Sequence, residues 1–207
     1  SWEHNDDCTE WTFNLRDDVY FTDGVQFDAD VCLKNIERWG HGITSTYTTL
    51  SIEKSLPNLD KMEKVDDFTV KFTFTQPITT LEYVLSDYGS PMYSPNCFDE
   101  ETGVISDYAI GTGPYKIAEN DDTTQIVLVK NEDYHGGEVN LDELDIIFYD
   151  DDQTKLIAYE NGDIDLADLN ASLLSQYQTN YADEITAYHP LGTSFISMNL
   201  TDQYLSD

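Results

Sequence analysis

Apolar and polar residues alternate through "EWTFNLRDDVYF". Trp11, Phe13 and Leu15 share one side, as in a half-buried strand, and Val19 and Phe21 repeat the pattern after Asp17 and Asp18. "TDGVQF" then turns through Gly24. The period changes at "DADVCLKNIERWG", where Val31, Cys32, Ile36 and Trp39 form one helical face. Asp28 or Asp30 can accept the free amide hydrogens at the helix start, and Gly40 is expected to supply a left-handed stop. A Ser/Thr-rich connection covers residues 41–58. Alternation then returns in "MEKVDDFTVKFTF", which predicts a hairpin turning at Asp66 and Asp67 with Val70, Phe72 and Phe74 on its apolar face. A helix is expected after Pro77 in "ITTLEYVLSDYG", followed by a loop with Pro91, Pro95 and Cys97.

The second half reads differently. "PYKIAEN" and "TQIVLVKN" pair as strands, and "LDELDIIFYD" predicts a third, more buried one. "DDQTKLIAYENG" predicts a capped helix ending at Gly162, "DIDLAD" a short strand, and "ASLLSQYQTN" another short helix. "ITAYHPLGTSFISMNL" closes as a strand pair or a bent strand. No internal repeat is present, and the irregular mixture of strands and short helices gives an α+β or α/β class, with a boundary near residue 109.

Charge narrows the partners. With 41 acidic and 10 basic residues the net charge is −31, which argues against nucleic acid, whose phosphates need clustered Lys and Arg, and against an anionic membrane surface. The acids are spread along the chain, as in a heavily solvated exterior suited to salty surroundings. Cys8, Cys32 and Cys97 lack metal-ligand spacing; one bridge plus a free thiol, or three reduced thiols, are both open. No apolar run is long enough to span a membrane.

Chemical motifs are mostly excluded on their own terms. "GTGPYKI", residues 111–117, has two glycines in the manner of a phosphate cradle, but a strand follows where a helix start would be needed. A turn that only glycine permits at Gly111 and Gly113 is the better reading. "NGDIDLAD" offers Asn161, Asp163, Asp165 and Asp168, yet its glycine is misplaced for a calcium loop, so a helix stop and strand start is preferred. "YDDD", residues 149–152, reads as a helix cap. His4, His41, His135 and His189 are scattered without zinc spacing, and no nucleophile has a local catalytic signature, so no enzyme and no cofactor are expected.

Taken in order, these segments resemble the family 5 extracellular solute-binding proteins of bacterial ABC importers. "WTFNLRDDVYFTDGVQFDADVCLKNIER", "VDDFTVKFTFTQP", "SPMYSP", "GTGPYKI", "VLVKNEDYHGGEVNLDELDIIFYDDDQTKLIAYENGDIDLA" and "FISMNLT" carry the likeness. Gly111, Gly113, Pro114 and Tyr115 form the most recognisable stretch, and His135 stands where the family usually has Trp. The resemblance implies part of a type II (Venus-flytrap) periplasmic-binding-protein lobe. Residues 1–109 would be its small subdomain and 110–207 part of lobe I, with the second lobe outside this chain. It also implies capture of a small solute outside the membrane, delivery to ABC permease subunits, and an extracellular or periplasmic location through an upstream lipid anchor.

Two solute classes follow from the resemblance. Peptide-binding relatives pair with the ligand main chain; Thr193, Ser194 and Phe195 would wall such a cleft, and Asn199 matches an asparagine near the ligand, unless it serves only strand-end hydrogen bonds. Nickel-binding relatives hold an anionic chelate with arginine and aromatics from two loops, here "HGITSTYTT" and "DYGSPMYSP". Tyr47 could supply an aromatic and His41 and Met92 soft donors, but neither loop has arginine, which favours oligopeptides or dipeptides over nickel; a sugar or other solute stays open. A surface interaction module would explain the acidity but not the ordered likeness.

Overall fold

The structure is a computed structural model that describes residues 1–40, 52–87, 90–106, 108–121 and 123–187. The chain divides into two compact units, Ser1–Phe148 and Tyr149–Asp207. The first unit contains a four-stranded antiparallel sheet of β1 (Trp2–His4), β2 (Glu10–Asn14), β3 (Leu59–Asp66) and β4 (Thr69–Phe74), in the order β1-β2-β4-β3. Helix α1 (Ala29–Trp39) packs on β3 and β4. Its predicted face is correct: Val31, Cys32, Ile36 and Trp39 are all buried, and Asp28 caps it by accepting from the Val31 N–H at 2.9 Å. Opposite it lie Val70, Phe72 and Phe74, whose alternation puts all three into one core with Trp11, Leu56, Ile78 and Leu81. The Trp11 indole N–H is satisfied by the Ile78 carbonyl at 3.1 Å and the Cys8 carbonyl at 3.3 Å.

One local expectation fails here, and one strand is new. Gly40 closes α1 at φ −63°, a right-handed conformation, so it is not a left-handed stop. Space around it is tight instead: a Cβ would lie 3.0 Å from the Glu37 carbonyl and 3.4 Å from Ile52 of the short helix α2 (Ile52–Ser55). Strand β1 has no counterpart in the sequence reading. The Asn5 carboxamide builds the β1–β2 turn by accepting from the backbone of Thr9 and Glu10. By contrast, Gly24 turns with φ +87° as expected, and the β3–β4 hairpin turns at Asp66–Thr69. Helix α3 (Leu81–Leu85) is shorter than the expected segment, and a single 3₁₀ turn covers Pro95–Cys97. All three cysteines are free. Burial pushes the Cys32 thiol up to about 12.

The first unit also holds an antiparallel sheet of β5 (Tyr115–Asp121), β6 (Gln125–Lys130) and β7 (Glu143–Ile147), in that order. The paired strands are as predicted, but β7 is not buried: Leu144 and Ile146 are 39% and 40% exposed. It is an edge strand, and its apolar composition records what it can bury without showing what covers it.

In the second unit, α4 (Asp152–Asn161) has the predicted ends. Asp151 accepts from the Thr154 N–H at 2.9 Å, and Gly162 stops the helix with φ +78°. "DIDLAD" is not a strand, and Leu166 is 88% exposed. Lys155 draws Asp168 to 2.5 Å and Asp152 to 3.0 Å, an arrangement that a strand alternation could not reveal. Helix α5 (Leu174–Tyr181) follows.

Candidate functional site

A pocket of about 570 Å³ lies in the first unit. Three parts of the chain build it. Leu15, Val19 and Phe27 come from the segment between β2 and α1; Leu85 ends α3 and residues 90–93 follow it; Gly111 and Thr112 precede β5 and His135 lies between β6 and β7. Its walls are mainly apolar, as in sites that bury most of a small ligand.

The walls are held by side chains that a sequence reading would place elsewhere. Asn35 sits on the buried face of α1 at 0% exposure, and its carboxamide clamps the Tyr93 backbone in both directions. Nδ2 donates to the Tyr93 carbonyl at 2.8 Å and Oδ1 accepts from the Tyr93 N–H at 2.8 Å, while Nδ2 also reaches the Val31 carbonyl at 3.0 Å. Both carboxamide hydrogens are thereby satisfied, as burial demands. The Tyr93 ring lies on the Arg38 guanidinium, 4.8 Å from its centroid, with Phe98 at 5.7 Å. Arg38 is 4% exposed, donates to the Gly103 carbonyl at 3.5 Å, and has its Nε unsatisfied among the described residues. Burial pushes its pKa down.

The Gly111–Tyr115 segment is held just as closely. The Thr22 N–H donates to Gly111 O at 3.0 Å and the Ser94 N–H to Ile110 O at 2.9 Å. Asn131 brackets the rest, its side chain donating to Gly113 O at 2.9 Å and its backbone to Pro114 O at 2.8 Å. Asp23 accepts from the Ser94 hydroxyl at 2.6 Å and the Asn96 amide at 3.0 Å, tying the Gly24 turn to the 3₁₀ turn. Burial pushes the Asp23 carboxyl up, but those bonds and the Val25 N–H more than offset it and hold it below the usual range. At the pocket's edge Arg16 forks onto Asp18, at 2.8 Å from Nε and 2.6 Å from Nη2, and Nη2 also meets the His135 carbonyl at 3.2 Å.

Several sequence candidates can be placed. Gly111 lines the pocket and Tyr115 starts β5, so "GTGPYKI" does lead into a strand. Gly111 and Gly113 are corrected in one respect: neither has positive φ, and an added Cβ would meet nothing nearer than 4.0 Å. Their turn does not demand glycine. Met92 and His135 line the pocket, whereas His4 packs on Trp11 at 4.6 Å between ring centroids, away from the lining. His41, Tyr47, His189, Thr193, Ser194, Phe195 and Asn199 lie outside the described residues. Asn35 and Asn131 were missed. The signal for Asn35 was available, since it falls one residue before Ile36 on the stripe of Val31, Cys32 and Trp39. Among the described residues, no group of three or more His, Cys, Asp or Glu could hold a metal ion. No described helix is long and apolar enough to cross a membrane.

The profile of bacterial extracellular solute-binding proteins, family 5 (middle region), matches residues 1–207. A probable D,D-dipeptide-binding periplasmic protein of Escherichia coli (strain K12) is 27% identical over 96% of this chain and 39% of its own length. The nickel-binding periplasmic protein of the same organism is 28% identical, over 96% and 38%. Among solved structures, NikZ from Campylobacter jejuni in complex with Ni(L-His) superposes with a TM-score of 0.75 at 26% identity, covering 87% of this chain and 36% of that one. The chain thus spans under two fifths of the length of these relatives.

Proposed function

The chain belongs to the bacterial extracellular solute-binding proteins of family 5, and from that premise we propose that it forms part of the substrate-binding component of an ABC importer, one that captures oligopeptides or dipeptides. The observation that carries this reading is the pocket, where the segment before β5 and the loop after α3 meet around an apolar space. Residues 1–109 act as the small subdomain and residues 110–207 as part of lobe I. The rest of the full-length protein supplies the opposite lobe.

Affinity then comes from closure. Contacts from both lobes favour the closed state, so a solute bound between them shifts the equilibrium by its differential affinity. His41, Tyr47, Thr193, Ser194, Phe195 and Asn199 contribute to the cleft in this reading. The protein binds and hands over its solute to permease subunits rather than transforming it, at the outer face of the membrane and held there by a lipid anchor. No partnership with nucleic acid is proposed, because 41 acidic residues face 10 basic ones.

A metal-chelate reading has a specific support of its own: Met92, a soft donor, lines the pocket, and two of the similar proteins are named for nickel or were solved with it. Mass spectrometry of solute released from the natively purified full-length protein separates the two. Short peptides support the main reading; stoichiometric nickel with a small organic chelator supports the second. A protein that carries neither and binds neither on titration contradicts both.

A further inference from the structure

The charges around the pocket carry the reading one step further, to the class of peptide. Arg16 is the sole Lys or Arg among the lining residues, and Asp87 the sole carboxylate. The Arg16 guanidinium is already engaged: Asp18 takes Nε and Nη2, and the His135 carbonyl takes Nη2 again. An incoming carboxylate would have to compete with Asp18 for the face that recognises carboxylates best.

No other Lys or Arg lines the pocket; Lys116, exposed on β5, lies outside the lining. Lys34, Lys61, Lys64, Lys71, Lys130 and Lys155 each sit in an ion pair, and Arg38 is buried against Tyr93 and Phe98. Around all of this the chain carries −31, a field that repels anions and draws cations towards the opening. The walls meanwhile offer Leu15, Val19, Phe27, Leu85 and Met92 to an apolar group.

We propose that the solute is a short peptide that carries an apolar side chain and is neutral or basic, and that the site discriminates against acidic peptides. The proposal rests on the peptide reading of this pocket. The α-carboxylate is common to all peptides; discrimination falls on an additional side-chain carboxylate, which meets no free cation among the described lining residues and is unfavourable to bury unpaired against these walls.

The test is calorimetric titration of the full-length protein with three tripeptides, Lys-Leu-Ala, Ala-Leu-Ala and Glu-Leu-Ala, at 0.1 M salt. Ala-Leu-Ala and Lys-Leu-Ala are expected to bind, the latter at least as tightly, and Glu-Leu-Ala at least tenfold more weakly than Ala-Leu-Ala. Asp18→Asn releases the Arg16 fork, and the affinity of Glu-Leu-Ala relative to Ala-Leu-Ala should rise at least fivefold. Glu-Leu-Ala within tenfold of Ala-Leu-Ala, or an unmoved ratio in Asp18→Asn, overturns the charge assignment while leaving the peptide reading intact. Binding of none of the three overturns the peptide reading, and the charge assignment with it.

Discussion

Asn35→Ala is the sharpest structural perturbation of the pocket. The truncation removes both bonds to the Tyr93 backbone, each 2.8 Å, together with the weaker reach to the Val31 carbonyl. The Val31 carbonyl belongs to the helical ladder of α1 and keeps a partner there, so its loss counts for little. Tyr93 is different. Its part-buried N–H and C=O lose their partners beside the buried Arg38 guanidinium. A polar group left buried and unpaired costs about 1–3 kcal/mol, so the pair sums to about 2–6 kcal/mol. At a urea slope of roughly 2 kcal/mol/M, the midpoint should fall by about 1–3 M.

The assay can be made specific to the unit that holds the pocket. Trp2, Trp11 and Trp39 are the chain's three tryptophans, and all lie within Ser1–Phe148, so tryptophan emission follows that unit alone. Asn35→Asp supplies a second point. It retains an acceptor for the Tyr93 N–H but faces the Tyr93 carbonyl with a carboxylate, and should be at least as destabilising as alanine at neutral pH. A midpoint for Asn35→Ala within 0.3 M of the parent would refute the clamp, since the Tyr93 groups would then be satisfied some other way.

Asp23 gives a pH signature. Its folded carboxyl titrates below the ordinary aspartate value, so its contribution is complete above about pH 4 and is lost as pH falls through the lower folded value. Asp23→Asn should therefore destabilise most above pH 5 and converge with the parent near pH 2, as read by urea midpoints across that range; a gap of constant size would contradict the assignment. Gly162→Ala, at φ +78°, should cost about 1–2 kcal/mol in far-ultraviolet circular dichroism melts, whereas Gly111→Ala should stay within about 0.5 kcal/mol. Equal losses at the two glycines would sink the distinction between them. Sodium chloride should raise the melting temperature, because screening relieves the repulsion within a chain of charge −31; a temperature that falls or holds steady from 0.1 to 2 M would show that this repulsion does not limit stability.

Much of the fold was legible wherever a local signal and the tertiary context agreed. Helix α1 combines an Asp28 cap with an apolar stripe, the β3–β4 hairpin combines strict alternation with an aspartate turn, and α4 combines Asp151 with Gly162. Where function of a residue depends on what lies opposite it, the sequence was silent. Gly40 leaves little room for a Cβ beside the Glu37 carbonyl, β1 exists only because β2 pairs with it, and the apolar residues of β7 are exposed at a sheet edge. The site divides in the same way. "GTGPYKI" and Met92 could be marked from the chain alone, whereas Asn35 and Asn131 act on backbone atoms of distant segments and carry no motif of their own. The polar interruption on the α1 stripe was the one clue.

The central claim is that this chain supplies part of a cleft whose affinity depends on the remainder of the protein. Titrating Ala-Leu-Ala into the full-length protein and into residues 1–207 alone measures that directly. The account predicts saturable binding by the full-length protein and at least hundredfold weaker binding by the isolated chain. Equal affinity in the two, or no binding by the full-length protein, would contradict it.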